Sequence, residues 1–74
     1  MDTKDTINAL AALAQESRLA VFRLLVQLGP EGLAATKIGE QLGIAPSSMS
    51  FHLKELTYAN LITARHEGLS LIHI

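Results

Sequence analysis

The sequence predicts a mainly α-helical domain closed by a small β-hairpin. Three observations carry this expectation: apolar residues recur at helical spacing in four successive stretches, glycine and proline separate the later ones, and after Asn60 the pattern changes to two β-prone runs. The 74 residues make one small domain. At this size folding removes only roughly 60% of the unfolded chain's surface from water, and a single core rarely supplies more than about 3–5 kcal/mol. No cysteine is present to add a disulfide, so stability must come from apolar packing or from a partner subunit. Apolar residues make up 49% of the chain, but only two Phe and one Tyr are aromatic, so the core is expected to consist of Leu, Ile, Ala and Val. Such a composition argues against disorder.

Each element follows from local pattern. Ile7, Leu10, Ala11, Leu13 and Ala14 share helical spacing, with Thr3 or Thr6 available as a cap, and predict a first helix over about residues 5–14. After Gln15-Glu16-Ser17, the residues Leu19, Ala20, Phe22, Leu24, Leu25 and Val26 fill most of a helix surface through Leu28. That second helix is expected to be largely buried. Gly29-Pro30-Glu31-Gly32 ends it. Ile38 and Leu42, four apart with Lys37, Glu40 and Gln41 between them, predict a short third helix from Ala34 or Thr36 that Gly43 terminates. Pro46 suits the first position of a fourth helix, in which Met49, Leu53 and Leu56 form one stripe through about Tyr58. Only Ile44 and Ala45 separate Gly43 from Pro46, which is helix-turn-helix spacing. The runs Leu61–His66 and Leu69–Ile74 flank Glu67-Gly68 and predict the hairpin. Taken in order, these elements make a winged helix-turn-helix over residues 1–74. The chain stops inside an apolar strand, which predicts that the natural protein continues past Ile74.

Several function classes can be set aside. The sequence has no G-x-S-x-G, G-x-x-x-x-G-K-[ST], H-E-x-x-H or G-x-G-x-x-G motif, so no catalytic role is expected. His52, His66 and His73 lie 14 and 7 residues apart and none has a second His or carboxylate at i, i+4, so no metal site and no cofactor is expected within the chain. The apolar stretch Ile7–Ala14 follows Asp2, Lys4 and Asp5 rather than a cationic segment, and no run approaches the roughly 18–20 apolar residues that span a bilayer. A cytoplasmic protein with no membrane association is expected.

The segment Pro46–Tyr58 is the most informative for function. Projected at about 100° per residue, Met49, Leu53 and Leu56 face inward, while Ser47, Ser48, Phe51 and Glu55 face outward. Small hydroxyl residues let a helix approach a DNA major groove closely, and Ser47 and Ser48 can hydrogen-bond phosphates or base edges. Phe51 either meets a thymine methyl or, if the helix is rotated by about 40°, joins the core. Ser50 and His52 flank the inner stripe within reach of the groove edge. His52 has a second reading, as a half-buried residue bonded to backbone. Arg65 and His66 lead into the hairpin turn, where a cation can reach a phosphate or the minor groove. For Arg65, and equally for Lys54, the alternative is an ordinary solvated surface position. Net charge is −1, but between Ile44 and His66 the formal charges are Lys54 and Arg65 against Glu55 alone. The expected DNA face is therefore weakly basic, and its affinity should depend on dimerisation and hydroxyl contacts more than on charge.

Two stretches resemble a known family. ALAQESRLAVFRLL from Ala12 to Leu25 is similar to the opening of the ArsR/SmtB-type bacterial repressors, and SSMSFHLKEL from Ser47 to Leu56, followed by YANLITARHEG from Tyr58 to Gly68, resembles their S-x-H-L-x-x-L recognition helix and wing. The resemblance implies a homodimeric repressor that binds a double-stranded DNA operator and releases it when an inducer, usually a metal ion or metalloid, binds. It places Ser47, Ser48, Ser50, Phe51 and His52 at DNA-contacting positions and Arg65 and His66 on the wing. Family sensor sites use cysteines in the helix before the recognition helix, or His, Asp and Glu on a last helix. Residues 36–43 contain no Cys, and the last helix would lie beyond Ile74. That helix also completes the family's dimer interface with the first helix, so Ile7, Leu10 and Leu13 are expected to be partly exposed. A function of another class, a winged-helix protein-interaction module docking through Phe51 and the first helix, is the alternative.

Overall fold

The computed structural model describes residues 2–67 and 69–74, with side chains described for residues 2–65 and 71–74. Helix α1 spans Thr3–Leu13. Its cap is Asp2, whose carboxylate accepts from the Asp5 amide at 2.8 Å, rather than Thr3 or Thr6; the Thr6 hydroxyl instead donates to the Asp2 carbonyl. Helix α2 spans Glu16–Leu28, and the Gln15 side chain caps it by accepting from the Arg18 amide at 2.9 Å. A 3-10 turn, Gly29–Glu31, follows.

Strand β1 is Leu33–Ala34. Sequence periodicity could not reveal it, because two residues have no period. Helix α3 spans Ala35–Leu42 and stops at Gly43, whose left-handed φ of 69° turns the chain so that both its own N–H and that of Ile44 reach the Gly39 carbonyl. Helix α4 follows at Pro46–Tyr58 with proline in its first turn. Asn60, at φ 61°, ends it in the same left-handed manner, with the Leu61 amide 3.0 Å from the Leu56 carbonyl.

Strands β2 (Thr63–Glu67) and β3 (Leu69–His73) pair antiparallel, from Thr63 opposite His73 to Glu67 opposite Leu69. Leu61 and Ile62 belong to the link before β2, not to the strand, and Ile62 is buried in the core. Of the expected turn, Glu67 closes β2 and Gly68 lies outside the described residues. The sheet has the order β1-β3-β2, with Leu33 opposite Ile72 and Ala34 opposite Leu71. The hairpin is thus tied through β3 to the segment just before the helix-turn-helix.

Leu25, Ile38, Leu56 and Val21 are fully buried, and Ala12, Met49, Ala59, Ile62 and Ile72 surround them. Every helix and β3 therefore contribute to one core. Helix α2 is less buried than its composition suggests. Only Val21 and Leu25 are fully covered, while Leu19, Val26 and Leu28 are exposed, because the other elements of the chain cover one stripe of α2. On α1, Ile7 and Leu10 are exposed as expected, and Leu13 is partly exposed as expected while one side of it packs against the core.

Candidate nucleic-acid interface

Met49 and Leu56 are buried and Leu53 packs half-buried beside them, so α4 docks along its 49–53–56 stripe. That orientation leaves Ser47, Ser48, Ser50, Phe51 and Lys54 exposed. Glu55, expected on the outer face, is half-buried at the side facing α1. The Ala45 position at the start of α4 supplies no side-chain cap, so the amides of Ser47 and Ser48 have neither a capping oxygen nor a preceding turn to bond. First-turn amides in this state attract anions such as phosphate.

Phe51 is 54% exposed, and this removes it from the core. Its ring meets the His52 ring edge-on at 5.7 Å, and the Arg18 guanidinium carbon lies 6.0 Å from its centroid. Phe51→Ala should accordingly lower the unfolding free energy by no more than about 1 kcal/mol, against roughly 3–5 kcal/mol for a buried phenylalanine. Urea denaturation followed by circular dichroism checks this, and a loss in the upper range would mean that the ring is packed.

His52 is half-buried, but its partner is a side chain and not the backbone. Arg18 Nη1 lies 3.4 Å from His52 Nδ1, while Arg18 Nε donates to the Ala12 carbonyl at 2.7 Å. Ala12 is in the last turn of α1, where carbonyls lack helical partners. One arginine thereby joins the end of α1, the start of α2 and the middle of α4. No spacing rule in the sequence gave Arg18 this place, because the two residues it connects lie 6 and 34 positions away.

The remaining site residues divide between two elements. Lys54 stands over the exposed Tyr58 ring, its Nζ 5.7 Å from the centroid. Arg65 is exposed on β2 opposite Leu71, and His66 is on β2 opposite Ser70, with its side chain outside those described. Six of the eight sequence-derived candidates thus share α4, and the other two sit on the hairpin. Among the described residues no three of His, Cys, Asp and Glu come together as a metal site, and no helix is long and apolar enough to cross a membrane.

The chain is similar to known proteins in sequence and in fold. A family model described as a helix-turn-helix domain matches residues 13–65. The chain is 39% identical over 57 residues to an uncharacterised HTH-type transcriptional regulator, YceK, of Bacillus subtilis, covering 77% of this chain and 56% of that protein. It is 36% identical over 62 residues to a Halobacterium salinarum protein assigned as an arsenical resistance operon repressor, covering 84% of this chain and 47% of that protein. The chain thus spans about half the length of the curated relatives it matches. The solution structure of a homodimeric winged helix-turn-helix DNA-binding domain from Mycobacterium bovis, assigned to the ArsR-family regulators, superposes with a TM-score of 0.86 at 28% identity, over 96% of this chain and 64% of that one. With the family model covering most of its length and these relatives beside it, the chain belongs to the helix-turn-helix domain family, and within it to the ArsR/SmtB-type winged helix-turn-helix proteins.

Proposed function

We propose that the chain is the DNA-binding domain of a cytoplasmic transcriptional repressor that binds a duplex operator as a homodimer and leaves it when an inducer binds. The observation that carries this is the exposed face of α4. There Ser47, Ser48, Ser50 and Phe51 stand clear of the core around a helix start without a side-chain cap. Hydroxyls and open amides suit phosphates and base edges, and Phe51 suits a thymine methyl. Lys54, Arg65 and His66 supply the flanking cationic or polar contacts.

A dimer is supported by Ile7 and Leu10, 60% and 62% exposed on one side of α1, and by the homodimeric state of the Mycobacterium bovis domain. Each subunit would then present one α4 to a half-site, with the half-sites about one helical turn or more apart. The arsenical assignment of the Halobacterium relative supports a metalloid as the class of inducer. A thiolate site for it cannot be made from these 74 residues, which contain no cysteine.

The test is fluorescence anisotropy with a duplex covering the promoter upstream of the chain's own coding region. Affinity is expected to fall linearly on a logarithmic scale as salt rises, because neutralised phosphates release counterions. Ser48→Ala should weaken binding by about three- to tenfold with the thermal midpoint unchanged. Absence of binding at low salt would sink the proposal. Salt-insensitive binding to a protein instead would favour an interaction module that docks through Phe51 and α1.

A further inference from the structure

We infer that Arg18 is a positioning residue that decides which hydrogen-bonding character His52 offers to DNA. The inference deepens the repressor reading and rests on it for the DNA partner, but the effect on the imidazole stands without DNA.

The chemistry follows from what each group can do. A guanidinium carries five N–H donors and no acceptor. Arg18 Nη1 faces His52 Nδ1 at 3.4 Å, so Nδ1 must present its lone pair; a proton there would set N–H against N–H. In a neutral imidazole the proton then resides on Nε2. The guanidinium cannot easily turn away, because its Nε is held on the Ala12 carbonyl at 2.7 Å. Phe51 packs its ring against the imidazole at an interplanar angle of 62°, which opposes rotation of the His52 ring. His52 Nε2 has no protein partner among the described residues, and the side chain is only partly buried.

His52 therefore presents DNA with a donor. A donor at that point selects acceptors: guanine O6 or N7, adenine N7, thymine O4 or a phosphate oxygen. It rejects the exocyclic amines of adenine and cytosine, which are donors themselves. An imidazole free to exchange tautomers would discriminate less sharply. Arg18 touches no base in this scheme and acts on readout through the ring it faces.

Two measurements test the inference. Long-range proton–nitrogen correlation of the 15N-labelled chain without DNA, above the ordinary histidine titration range, identifies which ring nitrogen of His52 carries hydrogen. A bare Nδ1 and a protonated Nε2 are expected in the wild type, with a measurable Nδ1–H population in Arg18→Met. A wild type protonated on Nδ1 would overturn the inference with no variant needed, and so would an unchanged tautomer distribution in a folded Arg18→Met chain. The second measurement is a double-mutant cycle on binding to the promoter duplex. His52→Gln supplies an amide donor without need of a tautomer. Arg18→Met should weaken binding about three- to tenfold in the wild-type background and much less in the His52→Gln background. Equal losses in both would show that Arg18 only braces the helices. A wild-type chain that binds no duplex would defeat the repressor reading, while the ring nitrogens would still report whether Arg18 sets the tautomer.

Discussion

Leu56→Ala is expected to lower the unfolding free energy by about 2–5 kcal/mol, the range for emptying a well-packed aliphatic site. Leu56 has no exposed surface and belongs to the cluster that includes Val21, Leu25, Ile38 and Met49. A domain of this size holds only about 3–5 kcal/mol in all, so the variant keeps at most about 3 kcal/mol, and a loss at the upper end of the range would unfold most of the molecules. Function should fail with stability, since Leu56 is the inner anchor of the helix that carries Ser47, Ser48 and Phe51 outward. Urea titration by circular dichroism gives the stability change directly. A loss below about 1 kcal/mol would mean that α4 is not held to the domain through this side chain. Ser48→Ala is the control, because it should reduce binding with the fold intact.

Gly32→Ala should cost about 2–4 kcal/mol through two separable causes. Gly32 has φ 71° and ψ −166°, a region that side-chain-bearing residues almost never occupy. A Cβ there would also collide with the Ile72 carbonyl oxygen and lie 2.9 Å from the His73 Cβ. The obstacle is strand backbone, which cannot yield without breaking the β1–β3 pairing. Gly29 isolates the second cause. Its φ of 75° and ψ of −157° are nearly the same, but a Cβ there would meet nothing within 4 Å. Gly29→Ala should therefore cost only the conformational part, about 1–3 kcal/mol. Equal thermal-midpoint shifts for the two variants would show that the approach to β3 is not tight.

Helices α3 and α4 were legible because their punctuation is local. Gly43 and Pro46 act within one turn of where they stand, and the Met49, Leu53, Leu56 stripe needs only the helical period to appear. The exposure of Ser47, Ser48 and Phe51 was legible for the same reason, since docking the stripe inward turns the opposite side of α4 outward, although Glu55 and His52 at its margins are half-buried. What failed depended on partners distant in the chain. Helix α2 is apolar on more faces than find a neighbour, and its composition cannot say how many will. Strand β1 exists only because β3 runs beside it.

Phe51 and His52 mark the boundary most clearly. They are adjacent in sequence, and either could have faced the core within a small rotation of α4. Local pattern fixes the order of helices, the tight turn between α3 and α4, the hairpin after Asn60, and the small hydroxyl character of the outer face of α4. That Phe51 stands 54% exposed and that His52 faces Arg18 follows from how the helices pack. The reason is physical. Helical period and turn chemistry are properties of neighbouring residues, whereas the rotation of a helix on its core, and the partner that a half-buried imidazole meets, are set by contacts between elements far apart in the chain.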